Sequence, residues 1–398
     1  MDYRLVDADG HYYETDDCFT RHIESRFADD TIRVDRARGD GLGRVFLRGK
    51  RTFMSVMPGD YASAPGALQG LFVGGVAEGM THREVVTAKE YPEFIEKTAR
   101  VKLLDQQGVE ATIMLPTLGV SVEYDMRDDV DLTYASLAAY NRWLEDDWGY
   151  GDDGRVFAVP MLSLLDIDKA VVELNRVIAA GARMVHLCPG PIAGRSPADP
   201  IFDPFWSTVA EAGIPVVFHV SNSGYQHFYG TQWSENPDNP SHQQSPLQWA
   251  LCNTERPLVD TLIALTLHNL FGRHPKVKIV SIENGSSWLR PLFKMVDKAA
   301  ALGRRGPMIG GKLPAKPSEA LAEHLWVCPF PEDDVHDLMD ALGTEHVLFG
   351  SDWPHPEGLR EPRDYLVRLE GCDPAVARKV LRDNTADLLG LRSTATVG

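Results

Sequence analysis

The feature that most constrains this chain is an alternation sustained over almost its whole length. Short apolar runs alternate with longer stretches whose apolar residues recur at helical spacing. KTARVKLLDQQG predicts a helix ended by Gly108, and ATIMLPT a buried strand. LTYASLAAYNRWLEDDW, a helix, precedes the strand RVFAVPML. DKAVVELNRVIAAG is helical, with apolar residues at 170, 171, 174, 177 and 178, and ARMVHLCP is a strand. DPFWSTVAEAG and IPVVFHV, TLIALTLHNLFGRHP and KVKIVSIEN, SSWLRPLFKMVDKAA and HLWVCPF, EDDVHDLMDALG and EHVLFGSD continue the series. DPAVARKVLRDNTADLLG closes it. With the opening RLVDAD this gives eight strands separated by helices. Helices between strands imply parallel pairing, and eight such units predict a (β/α)8 TIM-like barrel. A doubly wound open sheet is the competing arrangement. It fits less well, because no phosphate-binding glycine motif follows the first strand. A length of 398 residues suits a single barrel domain spanning 1–398.

Two stretches break the rhythm. Residues 15–95 separate the first strand from the first helix. Within them TIRVDRARGDGLGRVFLRGKRTF predicts a β-hairpin with a glycine-rich turn. No helix follows GDGLG, so it is not a nucleotide loop. Residues 221–256, rich in aromatics and amides, leave directly from the end of the fifth strand. In a barrel the loops at that end build the active site, so this insertion is expected to act as a lid or substrate wall.

Composition narrows the function classes. A net charge of −17 argues against nucleic acid or anionic membrane as partner. No transmembrane run or signal peptide is visible, so a cytoplasmic location is expected. The five cysteines, Cys18, Cys188, Cys252, Cys328 and Cys372, form no CxxC, which suggests neither a disulfide framework nor a thiolate zinc site.

The chemistry collects at strand ends. VDADGHYYE sets Asp7, Asp9 and His11 at every second position, so Asp9 and His11 are expected on one face. Buried charges there need partners or a metal. The fifth strand carries His219, the sixth ends in Glu283, and the eighth in Asp352 before WPHPEG. Each has an ordinary explanation alone: a satisfied core histidine, a helix cap, a partner for arginine. Four polar strand ends at one mouth point instead to a divalent first-row metal, with zinc, manganese and iron all compatible. His186, His355, Glu357, Asn222 and Tyr225 are further candidates for substrate or second-metal contact. Trp143, Trp148, Trp288 and Trp326 are expected to pack. Arg183, Arg256 and Arg290 are candidates for holding a substrate carboxylate.

At these residues the chain resembles the amidohydrolase superfamily, within it the amidohydrolase-related group that includes aminocarboxymuconate-semialdehyde and γ-resorcylate decarboxylases. The resemblance rests on VDADGHYYE, VKLLDQQGVEATIMLPTLG, IPVVFHV, HNLFGRHPKVKIVSIENGSSWLRP, VLFGSDWPHPEG and VLRDNTADLLGL, in that order. It implies metal ligands at Asp9, His11, His219 and Asp352, with Asp9 in place of the first histidine of a His-x-His element. The group's decarboxylases carry a histidine at the end of the sixth strand, where this chain has Glu283. Glu283 is then a general base or acid, or a ligand of a second metal in a dinuclear site. The leading expectation is a metal-dependent hydrolase of a small, carboxylated or aromatic-derived substrate. In it Asp352, Glu283 and His219 are catalytic, and Asp352 relays the proton of metal-activated water. The alternatives are a non-oxidative decarboxylase, an iron- or manganese-dependent oxygenase on the same scaffold, and a non-catalytic partner subunit. The resemblance also implies a homodimer or higher oligomer.

Overall fold

A computed structural model describes residues 2–74, 85–253, 255–313 and 316–391. Residues 75–84 of the first predicted insertion and residue 254 of the second lie outside these. After β1 (Leu5–Tyr12), the chain builds an antiparallel sheet from β2 (Ile32–Asp35), β3 (Arg44–Leu47) and β4 (Lys50–Val56). A short pair follows, β5 (Ala62–Ser63) with β6 (Val85–Val86). The parallel strands are then β7 (Val109–Pro116), β8 (Val156–Ala158), β9 (Met161–Leu162), β10 (Val185–Leu187), β11 (Val216–His219), β12 (Ile279–Ile282) and β13 (Leu325–Cys328). Their order is β1-β7-β8 in one sheet and β9-β10-β11-β12-β13 in another.

Hydrogen bonds across the two gaps join these sheets. RVFAVPML was expected as one strand, and it is two, because Pro160 has no N–H to give the ladder. The flanking groups still pair: Val159 N donates to Met114 O at 3.0 Å and His186 N to Pro160 O at 2.9 Å. On the far side, EHVLFGSD forms no regular strand. The 347–353 segment nonetheless bonds to both neighbours. Leu348 N donates to Val327 O at 2.9 Å, Ala8 N to Phe349 O at 2.8 Å and His11 N to Trp353 O at 2.8 Å. The parallel strands thus close into a barrel, as the alternation predicted.

Inside the ring every second residue is apolar: Val6 and Ala8, Ala111, Ile113 and Leu115, Val217, Val280 and Ile282, with Cys328 and Leu348. Ala386, Leu388 and Leu389 of the last helix, Asn384–Leu389, join this cluster. Helices cover the outside. Their ends follow local chemistry: Asp129 and Asp166 cap helices Val130–Asp147 and Ile167–Ala179, and Gly108 ends helix Lys97–Gln107 in the left-handed conformation.

In the first insertion the glycine-rich turn joins β2 and β3 as an antiparallel hairpin, and β4 adds a third strand to it. The second turn is Arg48-Gly49, both at positive φ, which is the tight geometry that matches strand twist. The described part of the 221–256 stretch holds the short helices Tyr225–Phe228, Gly230–Trp233 and Pro246–Cys252. Among the described residues no helix is long and apolar enough to cross a membrane.

Candidate metal centre

Simple alternation would send Asp9 and His11 outward, since Val6 and Ala8 face the interior. A bulge changes the parity. Asp7 pairs with Thr112 but Gly10 with Met114, so β1 spends three residues against two on β7. Asp9 and His11 therefore reach the mouth of the barrel. Asp7 does not; it is a tie between the first and last strand segments. Its carboxylate accepts from Ser351 N at 2.9 Å, Ser351 Oγ at 2.5 Å and Asp9 N at 3.0 Å.

The strand ends converge. His11 Nε2 lies 3.2 Å from Asp9 Oδ1, 3.3 Å from Glu283 Oε2, 3.3 Å from His219 Nε2 and 3.6 Å from Asp352 Oδ1. His219 Nε2 lies 2.8 Å from Glu283 Oε2. Glu283 and Asp352 both sit at positive φ, 55° and 54°, a conformation that costs a non-glycine residue and gathers at functional sites. The residues after Glu283 hold its turn: Asn284 Nδ2 donates to Phe218 O and Ile282 O, and Trp288 Nε1 to Asn284 O.

The donor chemistry identifies what this arrangement fits. His219 Nδ1 stands 2.8 Å from Val220 O, an acceptor, so Nδ1 carries the proton and Nε2 presents a lone pair. That lone pair faces Glu283 Oε2 and His11 Nε2. Asp9 Oδ1 and Glu283 Oε2 are buried and face the His11 and His219 ring nitrogens outside hydrogen-bond geometry. Buried acceptors pointed at one another repel unless a proton or a metal ion lies between them. Asp9, His11, His219 and Glu283 bring one donor atom each within 4.8 Å of the others, and so do His11, Glu283, Asp352 and His355. Two imidazoles with oxygen donors suit a divalent first-row metal.

A second motif borders the first. His355 Nδ1 lies 2.7 Å from Asp352 Oδ1, and its Nε2 lies 3.1 Å from Thr117 Oγ1. The Thr117 hydroxyl donates to Tyr12 O at 2.8 Å, so it accepts from His355 Nε2–H. Burial and the His11 charge hold His355 well below the usual imidazole range, so the ring is neutral and Nδ1 is bare. Asp352 Oδ1 therefore carries the proton of that hydrogen bond. Its carboxyl is pushed well up by burial and then by the charges of Glu283 and Asp9. Burial lowers His11, but the Asp9 and Glu283 carboxylates outweigh it and hold the ring at about 10. Burial works to raise Glu283, and with no metal bound the positive charge of protonated His219 and His11 carries it well below its usual value. Burial and the Glu283 charge raise Glu357 to about 7.

Asp9, His11, His219, Glu283, Asp352 and His355 thus come together. His186 does not join them: its Nε2 meets Ser221 Oγ at 3.3 Å, and burial lowers it to about 3. Asn222 is committed to its own loop, accepting from Gln226 Nε2 and Gly224 N and donating to Ser121 O. Tyr225 OH donates to Asp260. Arg290 pairs with Asp337 and Asp340 on the surface, Arg256 lies over the Tyr229 ring, and Arg183 is exposed. Trp143 and Trp148 are buried core residues. Sequence reasoning missed Arg100. It is buried on helix Lys97–Gln107 without a carboxylate partner among the described residues. Its Nη2 donates to His11 O at 2.6 Å and its guanidinium lies 4.3 Å from the centre of the Trp353 ring. The available signal was an arginine one turn before the buried Leu104, where a surface residue would not stand.

Comparison with known proteins gives a consistent family. The model of the amidohydrolase family Amidohydro_2 matches residues 7–391. An amidohydrolase from Mycobacterium avium subsp. paratuberculosis K-10 is 37% identical, with a TM-score of 0.89 over 98% of this chain and 100% of that one. The 5-carboxyvanillate decarboxylase of Sphingomonas paucimobilis shares the fold at 17% identity, with a TM-score of 0.60 over 98% of this chain and 99% of that one. A dihydroxybenzoic acid decarboxylase from Polaromonas sp. JS666, solved with manganese and 2-nitroresorcinol, shares it at 18% identity, with a TM-score of 0.55 over 85% and 97% of the two chains. None of the curated proteins compared matches the chain.

Proposed function

The chain belongs to the amidohydrolase family, and from that premise we propose that it is a metal-dependent decarboxylase of a small hydroxylated acid, working without an oxidant. The observation that carries this reading is the 2.7 Å contact between Asp352 Oδ1 and His355 Nδ1, at a carboxyl that burial and its acidic neighbours push well up. Loss of CO2 from such an acid needs a proton delivered to carbon, and a buried neutral carboxyl is a suitable donor. Manganese-bound decarboxylases of hydroxylated aromatic acids on the same fold support the substrate class.

In this reading Asp9, His11, His219 and Glu283 hold the metal, and Asp352 is free to hold the proton. When bound, the metal supplies the positive charge that anchors the substrate carboxylate and its neighbouring oxygen. Asp352 gives its proton to the carbon bearing the carboxylate. The C–C bond then breaks, CO2 leaves, and the electron pair of that bond returns to the substrate ring. Asp352 is left as a carboxylate and recovers a proton from solvent, with His355 positioning the acid. Glu283 stands where the group's decarboxylases carry a histidine, and in this reading it serves as a metal ligand while Asp352 supplies the proton.

The test is incubation of the manganese- or zinc-loaded protein with 2,6-dihydroxybenzoate and 5-carboxyvanillate in deuterated or ¹⁸O-labelled water. The expected products are CO2 and a ring bearing one deuteron at the vacated carbon. Incorporation of ¹⁸O into a cleaved product without CO2 release would overturn this reading in favour of hydrolysis.

A further inference from the structure

A cavity of about 330 Å³ lies between the C-terminal ends of β7, β9, β10 and β11. It is on the metal side of the barrel, since Asn222 on its wall lies three residues past His219 at the end of β11. Its wall is mostly apolar, with Leu164, Leu187 and Ile192. One carboxyl group is set into it, that of Glu123 on the short helix Glu123–Met126. Glu123 Oε2 is buried and has no hydrogen-bond partner among the described residues. The nearby cation is otherwise engaged: the Arg127 guanidinium lies 3.6 Å from the centre of the Tyr124 ring and donates to Tyr124 O at 2.6 Å. Burial pushes the Glu123 carboxyl up to about 7, against a hydrogen bond from the Ser163 hydroxyl that leaves Oε2 unmatched. A buried, unpaired carboxyl oxygen in an apolar wall destabilises the fold unless a ligand completes its hydrogen bond.

We propose that this cavity receives the apolar body of the substrate and that Glu123 Oε2 accepts a hydrogen bond from an O–H or N–H group on that body. The volume falls in the range of small-molecule sites and exceeds what a carboxylate head at the metal would itself occupy. The substrate is then an acid longer than one ring, with a hydrogen-bond donor remote from its carboxyl group. The proposal rests on the decarboxylase reading only for the head of that molecule.

The test uses metal-loaded protein, with 2-naphthol and naphthalene as cavity probes. Hydroxybenzoic acids with and without a hydroxyphenyl extension serve as substrates. 2-Naphthol is expected to bind roughly tenfold tighter than naphthalene, and to lose that margin in Glu123→Leu. Leu165→Trp fills the cavity while keeping Glu123, and is expected to exclude both probes; it also serves if Glu123→Leu fails to fold. The extended acid is expected to have the higher kcat/KM, and the ratio between the two acids to fall roughly tenfold in Glu123→Leu. Absence of binding, equal binding of both probes, or a margin that survives in Glu123→Leu would overturn the assignment. If no acid releases CO2 while the naphthol margin behaves as expected, the decarboxylase reading fails and the cavity assignment stands.

Discussion

Asp352 and Glu283 are both carboxylates on left-handed turns at strand ends, but their neighbours differ. Glu283 Oε2 faces the lone pair of His219 Nε2 at 2.8 Å, whereas Asp352 Oδ1 faces the bare Nδ1 of a neutral His355 at 2.7 Å. The first contact offers a metal ion two donor atoms; the second holds a proton between its partners. The two amide variants therefore separate. Glu283→Gln is expected to lose most of its metal, because an amide oxygen is a far weaker ligand than a carboxylate. Asp352→Asn is expected to keep the metal and lose about two to four orders of magnitude in turnover, the usual span for general acid catalysis. Metal content by elemental analysis, beside turnover, checks both. A metal-free Asp352→Asn protein would return Asp352 to the ligand set that the family resemblance implied. A stoichiometry of two metals in the parent would point to the dinuclear arrangement.

At the scale of elements, the site depends on how β1 meets the 347–353 segment. A Cβ on Gly350 would lie 2.3 Å from Cys328 Sγ and 2.5 Å from Asp9 Cβ. Gly350→Ala is therefore expected to push Asp9 off its position, costing about 1–3 kcal/mol of stability and most of the metal affinity. Equal denaturant midpoints and equal metal affinity would reject this contact as a constraint. A second junction ties helix Glu123–Met126 to the inserted sheet, where Asp125 Oδ2 accepts from Phe53 N at 3.0 Å. Burial raises Asp125 to about 6 from 3.8, despite that hydrogen bond. The folded state thus keeps the proton to a higher pH than the unfolded chain. The cost of ionising the group is absent below pH 4, grows between about 4 and 6, and is fully present above. Asp125→Asn keeps an acceptor for Phe53 N, so its gain in melting temperature over the parent should grow from pH 4 to 6 and then level off. The strands and helices themselves were readable, because period 2 and period 3.6 are set by backbone geometry. The β1 bulge was not: one extra residue changes which side chains face inward without changing composition. The eighth strand was read as regular, although Gly350 and the turn at Asp352 make it irregular. The polar strand ends were visible in sequence. The division of labour between Glu283 and Asp352 was not, because it depends on tautomers set by Val220 O and Thr117, residues far apart in the chain.

Over the whole molecule the first and last thirds close on one another, with Asp7 holding Ser351 across 344 positions. That closure brings the carboxyl groups of Asp9, Glu283, Asp352 and Glu357 to one mouth of a chain that already carries a net charge of −17. Without a metal the Asp9 and Glu283 carboxylates have only the neighbouring imidazoles to offset their repulsion, so metal should bind the folded chain far better than the unfolded one. Mass action then sets the size of the effect: free metal at a hundredfold excess over its Kd stabilises by about 2.7 kcal/mol. For a chain of this length each kcal/mol moves Tm by about 1.2 °C, so saturating manganese or zinc is expected to raise Tm by about 3 °C over the chelator-treated protein. Potassium, which does not suit imidazole ligands, should leave it unchanged, and His11→Ala should abolish the rise while keeping the far-ultraviolet spectrum of the parent. A rise of equal size in His11→Ala would place the stabilising cation elsewhere on the acidic surface. No rise in the parent would mean that these carboxyl groups are neutralised by protons alone, and that the closed mouth of the barrel is not a metal centre.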